Sequence, residues 1–173
     1  PLAEYLPDAR IKECPVFTEL RRLGDVSDAF ESGAGGYGYN LSYIGGTLYR
    51  NDMPECYQQT TLDSAVADPA GTIMFSDAAM PKEGHIIEYS FVEPPHFADK
   101  QNPQGNPDWG FAAPSIHFRH NGRVNVLWCD GHISSEKWAW APDTNVYGGL
   151  NRRWGVGWFG PKDNSLFDTG PKS

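Results

Sequence analysis

The clearest alternation of apolar and polar residues in the chain lies in the stretch "RVNVLWC", residues 123–129. It holds strand-forming residues on every second position and is flanked by Asn121-Gly122 and Asp130-Gly131. These two dipeptides best satisfy the positive φ angles of a type I′ hairpin turn. The pattern therefore predicts a three-stranded antiparallel meander with strands at Ser115–Arg119, Arg123–Cys129 and His132–Trp140.

The same pattern separates the two polar residues that flank the central strand, His120 and Asp130. Ten residues of extended chain span on the order of 30 Å, whereas a general acid and base must lie about 3 Å from the atoms they serve. We therefore expect His120 and Asp130 to frame the two turns rather than form a catalytic pair. The strand between them is expected to bury Val124, Val126 and Trp128 on one face.

The remaining patterns predict short elements joined by long loops. Apolar spacing predicts a helix near Val16–Leu23 that ends at Gly24. Alternating aromatic and glycine residues in "SGAGGYGYNLSYIGGTLY", residues 32–49, predict an irregular strand. A short helix, capped by Thr60 or Thr61, should stop before Pro69, and a strand at Thr72–Ser76 should deliver Asp77 to its end. The run His85–Val92 is expected to pair antiparallel with that strand. The predicted fold class is α+β, with an antiparallel β-sheet meander, short helices and long loops.

A chain of 173 residues is long enough for one ordinary domain but short for two. We expect a single domain over 1–173, with a connector and short helix at 1–23. Residues 93–114 form a long proline-rich loop, which is either a binding surface or a disordered insertion. Residues 141–173 form a Gly- and Trp-rich C-terminal extension.

The charge balance limits the possible partners. Asp and Glu outnumber Lys and Arg by 22 to 14, which gives a formal charge of −8, and basic residues never cluster beyond pairs. Nucleic acid is therefore not an expected partner. No run of residues approaches the 18 to 20 apolar residues that a membrane-spanning helix requires, and the first ten residues do not resemble a signal peptide.

No catalytic constellation is recognisable in the sequence. Serine residues lack the G-x-S-x-G pattern, no glycine loop of the phosphate-binding kind occurs, and the five histidines are scattered. We expect a protein that is not an enzyme and needs no cofactor. Two weaker chemical alternatives remain open. A cation, calcium for example, could be held by Asp77, Asp130 and His132. Sugar hydrolysis could use a carboxylate pair drawn from Asp77, Glu88, Asp108 and Asp130.

The cysteines and tryptophans leave two further questions open. In an oxidising compartment Cys14 and Cys56 are the expected disulfide pair, and buried thiols are the alternative. Trp109, Trp154 and Trp158 could present flat faces to sugar rings, as in a cell-surface carbohydrate-binding module. The alternative is that these aromatic side chains fasten loops to the core.

Four segments occur in the order seen in one known family. The segment "RHNG…NVLWCDGHIS" resembles the closing motif of bacterial prepilin-type, pseudopilin-like proteins, which are named for a His, nine residues and Asp-Gly. "LPDARIKECP" resembles the family's Cys-Pro segment, "GGYGYN" its Tyr-Gly-Tyr-Asn segment and "DPAGTIMFSDAA" its Pro-to-Asp strand. The motif residues are Cys14, Pro15, Tyr39, Asn40, Asp77, His120, Asp130 and Gly131.

The resemblance implies a pilin-like globular head. Proteins of this family are made with an N-terminal hydrophobic helix, which a prepilin peptidase trims. That helix is missing from this sequence, and membrane attachment is expected only through it. The resemblance further implies a structural or interaction subunit of a pilus or of type II secretion, located extracytoplasmically in the cell envelope, in the periplasm or at the cell surface. Its expected partners are copies of itself or related pilin-like subunits.

Overall fold

The computed structural model describes residues 13–27, 33–45, 61–98, 102 and 104–171. These residues contain one α-helix, nine short strands and two 3₁₀ turns, at Asp63–Ala65 and Pro107–Trp109. The helix is α1 (Pro15–Leu23). The strands are β1 (Val26–Ser27), β2 (Tyr37–Tyr39), β3 (Ile73–Asp77), β4 (Met80–Lys82), β5 (His85–Ile87), β6 (Ile116–His117), β7 (Arg123–Trp128), β8 (Ile133–Lys137) and β9 (Val156–Gly157). The predicted α+β class is confirmed at this level.

Local sequence signals explain where α1 begins and ends. Cys14 precedes the helix in an extended conformation, and Pro15 occupies the first helical position, where its missing N–H removes no helical hydrogen bond. Gly24 adopts the left-handed conformation, with φ of 83°, and donates its N–H to the Arg21 carbonyl. Phe17 is the buried residue of the helix. The helix predicted from the sequence is therefore confirmed.

The main sheet has the strand order β2-β3-β7-β8, and all its pairs are antiparallel. Val124, Val126 and Trp128 on β7 are buried, as the alternation predicts. They belong to the largest apolar cluster of the described residues, which Ile73 of β3 and Trp158 also join. β3 and β7 are therefore the two central strands of this sheet, and both contribute to the core.

The predicted meander is wrong in its first strand. β6 pairs with β9 rather than with β7, and Phe118 also donates its N–H to the Gly155 carbonyl. The turn at Asn121-Gly122 does form, since both residues have positive φ and the His120 and Arg123 backbones exchange two hydrogen bonds. The chain bends before it, where Arg119 N–H bonds the His117 carbonyl. This bend directs β6 to another strand.

The prediction that His85–Val92 pairs with the Asp77 strand is also wrong. β5 pairs antiparallel with β4 across the two-residue turn Glu83-Gly84, in which Glu83 has a φ of 50°. The other edge of β5 pairs in parallel with β1. The adjacent hairpin takes up the hydrogen-bonding groups that pairing with β3 would need.

Two smaller predictions also differ from the structure. The turn that contains Asp130 is closed by a hydrogen bond from Gly131 N–H to the Trp128 carbonyl, and of the two residues of the dipeptide only Gly131 has positive φ. It is therefore not a type I′ turn, which requires positive φ at both central residues. The predicted helix before Pro69 is a single 3₁₀ turn that follows Leu62 and has no side-chain cap.

The proline-rich loop and the C-terminal extension both pack against the core. In the loop, Ala98 and Ala112 are buried, and Ala98 joins the largest apolar cluster. In the extension, Trp158 and Phe167 join the same cluster. The extension is therefore an integral part of the fold. Within the described ranges α1 has nine residues, and no helix there has the length and apolarity needed to cross a bilayer.

Candidate functional site

Three polar residues that are far apart in the sequence meet at one end of the main sheet. Nε2 of His120 lies 3.1 Å from Oδ2 of Asp77 and 3.6 Å from Sγ of Cys14. The three ligand atoms, one from each residue, all lie within 4.8 Å of one another. Cys14 and Asp77 are buried, whereas 27% of the His120 side chain is exposed. Together with Arg119, these residues form what we call the anchor cluster.

Arg119 holds the cluster together with its guanidinium group. Its Nη2 donates to Oδ1 of Asp77 at 2.7 Å and to the Gly36 carbonyl at 2.6 Å, and its Nε donates to Sγ of Cys14 at 3.3 Å. The guanidinium also lies over the ring of Phe17, 5.2 Å from its centroid. A planar cation with several donors suits this role better than a lysine ammonium would.

Each member of the cluster is placed by a different local feature. Cys14 immediately precedes α1 and donates its backbone N–H to the Gly35 carbonyl at 2.8 Å. Asp77 is the last residue of β3. Arg119 and His120 lie between β6 and β7, where the chain bends away from the sheet. The cluster therefore joins the start of α1 to two strands of the main sheet.

The ion pair at the centre of the cluster is almost fully removed from water. The side chains of Arg119 and Asp77 are each 1% exposed. Oδ2 of Asp77 also accepts the backbone N–H of Asn125 at 2.9 Å, so both carboxylate oxygens have donors. A buried ion pair is tolerated when its remaining hydrogen-bonding groups are satisfied, and breaking it leaves an uncompensated charge.

A neighbouring histidine is kept neutral by this environment. Burial, with the positive charges of Arg119 and His120, lowers the pKa of His117 to about 3, and a backbone contact with Trp154 opposes this only in part. Nδ1 of His117 lies 3.3 Å from Nη1 of Arg119. A neutral imidazole can accept a hydrogen bond from the guanidinium there, which a protonated one cannot.

The cluster does not have the geometry of a cysteine nucleophile with its base. In such a triad the histidine uses one ring nitrogen for the nucleophile and the other for the carboxylate. Here the same nitrogen, Nε2 of His120, faces both Cys14 and Asp77. Asp77 therefore does not orient the imidazole through its second nitrogen, as the carboxylate of such a triad does.

The residues predicted as a possible cation site are not brought together. Asp130 and His132 lie in the turn between β7 and β8, whereas Asp77 lies in the anchor cluster beside Asn125 at the start of β7. Oδ1 of Asp130 lies 2.6 Å from Nδ1 of His132. The backbone N–H and the side chain of His132 lower the pKa of Asp130. His120 and Asp130 thus lie at opposite ends of β7 and contact different partners.

Of the other motif residues, Asn40 is the most deeply embedded. It is fully buried, and its side-chain amide donates to the carbonyls of Ile73 and Phe167 at 2.9 Å each. Tyr39 stacks at a tilt on Phe75, with ring centroids 4.9 Å apart. These contacts give the Tyr-Asn segment a structural role in the sheet. Pro15 and Gly131 act through backbone geometry, at the first position of α1 and in the β7–β8 turn.

The expected disulfide lies partly outside the described residues, because Cys56 is not among them. Cys14 carries a free thiol in the structure.

The predicted sugar-binding tryptophans do not form an exposed set. Trp158 is fully buried, and its Nε1 donates to the Glu93 carbonyl at 2.8 Å. Trp154 is half-buried, and the adjacent His117 contacts its backbone. Trp109 alone of the three is largely exposed, at 57%. Trp158 therefore does not share an exposed aromatic surface with Trp109, and its neighbour Gly157 belongs to the buried strand β9.

The four carboxylates considered for sugar hydrolysis have separate environments. Asp77 and Glu88 are both buried and each is paired with an arginine, Arg21 in the case of Glu88. Burial alone would raise the pKa of Glu88, but hydrogen bonds from Arg21 and from the backbone N–H of Gly35 outweigh it and lower that pKa. Asp108 is exposed in the 3₁₀ turn Pro107–Trp109, and Asp130 is exposed in the β7–β8 turn.

Sequence reasoning missed the convergence of Cys14, Asp77 and His120, and it missed Arg119 altogether. Each of the three was named as a motif residue, but nothing in their spacing shows that they meet. The available signal was the charge of Arg119, because a basic residue between two strand patterns needs an acidic partner if it is buried. Asp77, at the end of a strand of apolar character, was a candidate for that partner.

Comparisons with protein-family models, with curated proteins and with solved structures found no match to this chain.

Proposed function

We propose that this chain is the globular head of a pilin-like or type II secretion pseudopilin-like subunit, a structural, non-enzymatic protein of the cell envelope. Four motif segments in family order support the proposal. The observation that carries it is that three of the motif residues, Cys14, Asp77 and His120, meet in one buried cluster at the start of α1. In this proposal these residues have a structural role, because they attach the start of α1 to the main sheet.

A head displayed on an N-terminal stalk needs a rigid connection at the point where the stalk enters it. The first helix of the described residues is α1, which contacts the body of the protein along its length. Cys14 joins the anchor cluster, Phe17 is fully buried, and Arg21 forms an ion pair with the buried Glu88 at 2.9 Å. The orientation of α1 relative to the sheet is therefore fixed by packing and by two ion-pair networks.

The proposal is tested on the full reading frame rather than on the head alone. The complete gene is expressed in a bacterium with and without a prepilin peptidase. The expected result is an upstream hydrophobic segment, a mature N-terminus produced only with the peptidase, and recovery of the protein in the membrane or sheared surface fraction. A reading frame without such a segment, or a protein that stays in the cytosol, would contradict the proposal.

The assembly role is tested on the isolated head. If the N-terminal helix organises assembly, residues 1–173 should be monomeric in light scattering, and the full-length protein should form higher oligomers in the membrane fraction. Tight oligomers of the purified head would show that another surface organises assembly.

A further inference from the structure

We propose that Cys14, Asp77 and His120 bind one Zn²⁺ ion. The proposal goes beyond the structural role described above and does not depend on it. It rests on three observations: the distances between the ligand atoms, the position of Nε2 of His120 between the other two ligands, and the donors that Arg119 supplies to those two ligands.

Two of the three distances between the ligand atoms are close to the edges of a zinc tetrahedron, and the third is below 4.8 Å. Zinc lies about 2.3 Å from a cysteine sulfur, about 2.05 Å from an imidazole nitrogen and about 2.1 Å from a carboxylate oxygen. At a tetrahedral angle, these bond lengths place sulfur and nitrogen about 3.6 Å apart, and nitrogen and oxygen about 3.4 Å apart. The observed separations are 3.6 Å from Cys14 to His120 and 3.1 Å from His120 to Asp77. An ion can therefore be accommodated with small side-chain shifts.

Nε2 of His120 lies between the other two ligand atoms. It faces both Oδ2 of Asp77 and Sγ of Cys14. When it carries a hydrogen, it can donate to the carboxylate while the sulfur only accepts. When it carries none, its lone pair shares one space with those of the sulfur and the carboxylate oxygen, which is the arrangement that a metal ion requires.

Arg119 provides the outer hydrogen bonds that metal ligands normally have. Its Nη2 bonds Oδ1 of Asp77, which leaves Oδ2 directed at His120, and its Nε bonds Sγ of Cys14. Such outer partners orient the ligand atoms towards the metal. With a thiolate, a carboxylate and a guanidinium the cluster carries one net negative charge, which favours a divalent cation.

The mixture of ligands selects the type of metal. A thiolate and an imidazole suit zinc or a similar transition metal, whereas calcium takes six to eight oxygen ligands. Asp77 is the acidic residue of this cluster, and its oxygens already accept hydrogen bonds from Arg119 and Asn125. Because part of the His120 side chain is exposed, water can complete the coordination as a fourth ligand.

The first test uses the wild-type protein, stripped with a chelator and titrated with Co²⁺ as a spectroscopic substitute for Zn²⁺. We expect one equivalent to produce a thiolate-to-cobalt charge-transfer band and intense tetrahedral bands in the visible region. One equivalent of Zn²⁺ should abolish both. Cobalt binding without a thiolate band, or no binding at all, would overturn the proposal without any variant.

The second test assigns the ligands with matched substitutions. Cys14→Ser and His120→Gln should lose the cobalt–thiolate band, and each should weaken Zn²⁺ binding by more than about 100-fold, since loss of an outer partner alone lowers affinity 10- to 100-fold. His120→Gln is the safer variant for folding, because its side chain is partly exposed.

The controls make the same chemical changes outside the cluster. Cys129→Ser removes a different thiol, and His132→Gln removes a histidine that also lies beside an aspartate. Both should bind Zn²⁺ as tightly as the wild type. If the thiolate band persists in a folded Cys14→Ser variant, or disappears in Cys129→Ser, the assignment is refuted.

Discussion

Replacing Asp77 with asparagine tests the view that the anchor cluster holds the fold together. The substitution preserves the size of the side chain and removes its charge, so Arg119 remains as a buried cation with a side chain only 1% exposed. The substitution also replaces one carboxylate oxygen, an acceptor, with an NH₂ group, a donor. Whichever way it is oriented, an NH₂ group then faces a donor, at Arg119 or at the Asn125 backbone N–H.

The size of the effect follows from these contacts. Removing one partner of a buried ion pair costs about 3–5 kcal/mol, because the other charge remains uncompensated. The free energy of unfolding of a natural domain is about 5–15 kcal/mol. With a urea dependence of about 2 kcal/mol per molar, a loss of about 4 kcal/mol lowers the midpoint of urea unfolding by about 2 M.

The measurement is urea unfolding followed by tryptophan fluorescence, with a chelator present so that bound metal does not contribute. Asp130→Asn is the matched control, since it makes the same change on an exposed turn and should leave the midpoint unchanged. The double variant Asp77→Asn/Arg119→Met should be more stable than Asp77→Asn alone, because it removes the orphaned cation. A midpoint shift for Asp77→Asn no larger than that of the control would refute the reasoning.

Three further predictions concern the core, the pH dependence and the sheet edge. Trp158→Ala should lower the free energy of unfolding by about 3–5 kcal/mol, measured by thermal unfolding. The control Trp109→Ala should show no comparable loss, because the Trp109 side chain is 57% exposed. His117 has a folded-state pKa of about 3 against 6.5 when unfolded. Between pH 6.5 and pH 3 the unfolded chain binds a proton at His117 that the folded protein does not. The free energy of unfolding therefore falls by about 1.4 kcal/mol for each pH unit in this range as the pH is lowered, and His117 has no such effect above pH 6.5. His117→Gln should make the free energy of unfolding less dependent on pH between 3 and 6.5. If the pH dependence is unchanged, His117 is not a neutral buried histidine in the folded protein. A Cβ at Gly38 would lie 2.8 Å from the Phe91 carbonyl group, so Gly38→Ala should increase hydrogen exchange at Phe91 and its neighbours.

The parts of the fold predicted correctly are those coded by neighbouring residues. Helix α1 has Pro15 and Gly24 at its two ends, and β7 has a two-residue alternation with a tight turn at each end. These signals act over a few residues, so they can be recognised without knowledge of the rest of the chain.

The parts predicted wrongly depend on contacts between distant segments. Nothing near Ile116 shows that it pairs with Gly157, and the glycines around Trp158 suggest an exposed loop although this residue is fully buried. Strand pairing and burial are decided by competition among all available partners, so local propensity does not determine them. The anchor cluster escaped prediction for the same reason, since Cys14 and His120 are 106 positions apart.

That separation also determines when the protein can finish folding. Contacts between distant residues form slowly, because a long loop must close before any stabilising contact is gained. During synthesis, Cys14 leaves the ribosome well before Arg119 and His120 exist, so the side-chain contacts of Cys14 with these two residues must wait for most of the chain. We therefore expect the start of the helix to dock late, and a nascent chain that is cut short before residue 119 to leave its first segment undocked and open to proteases.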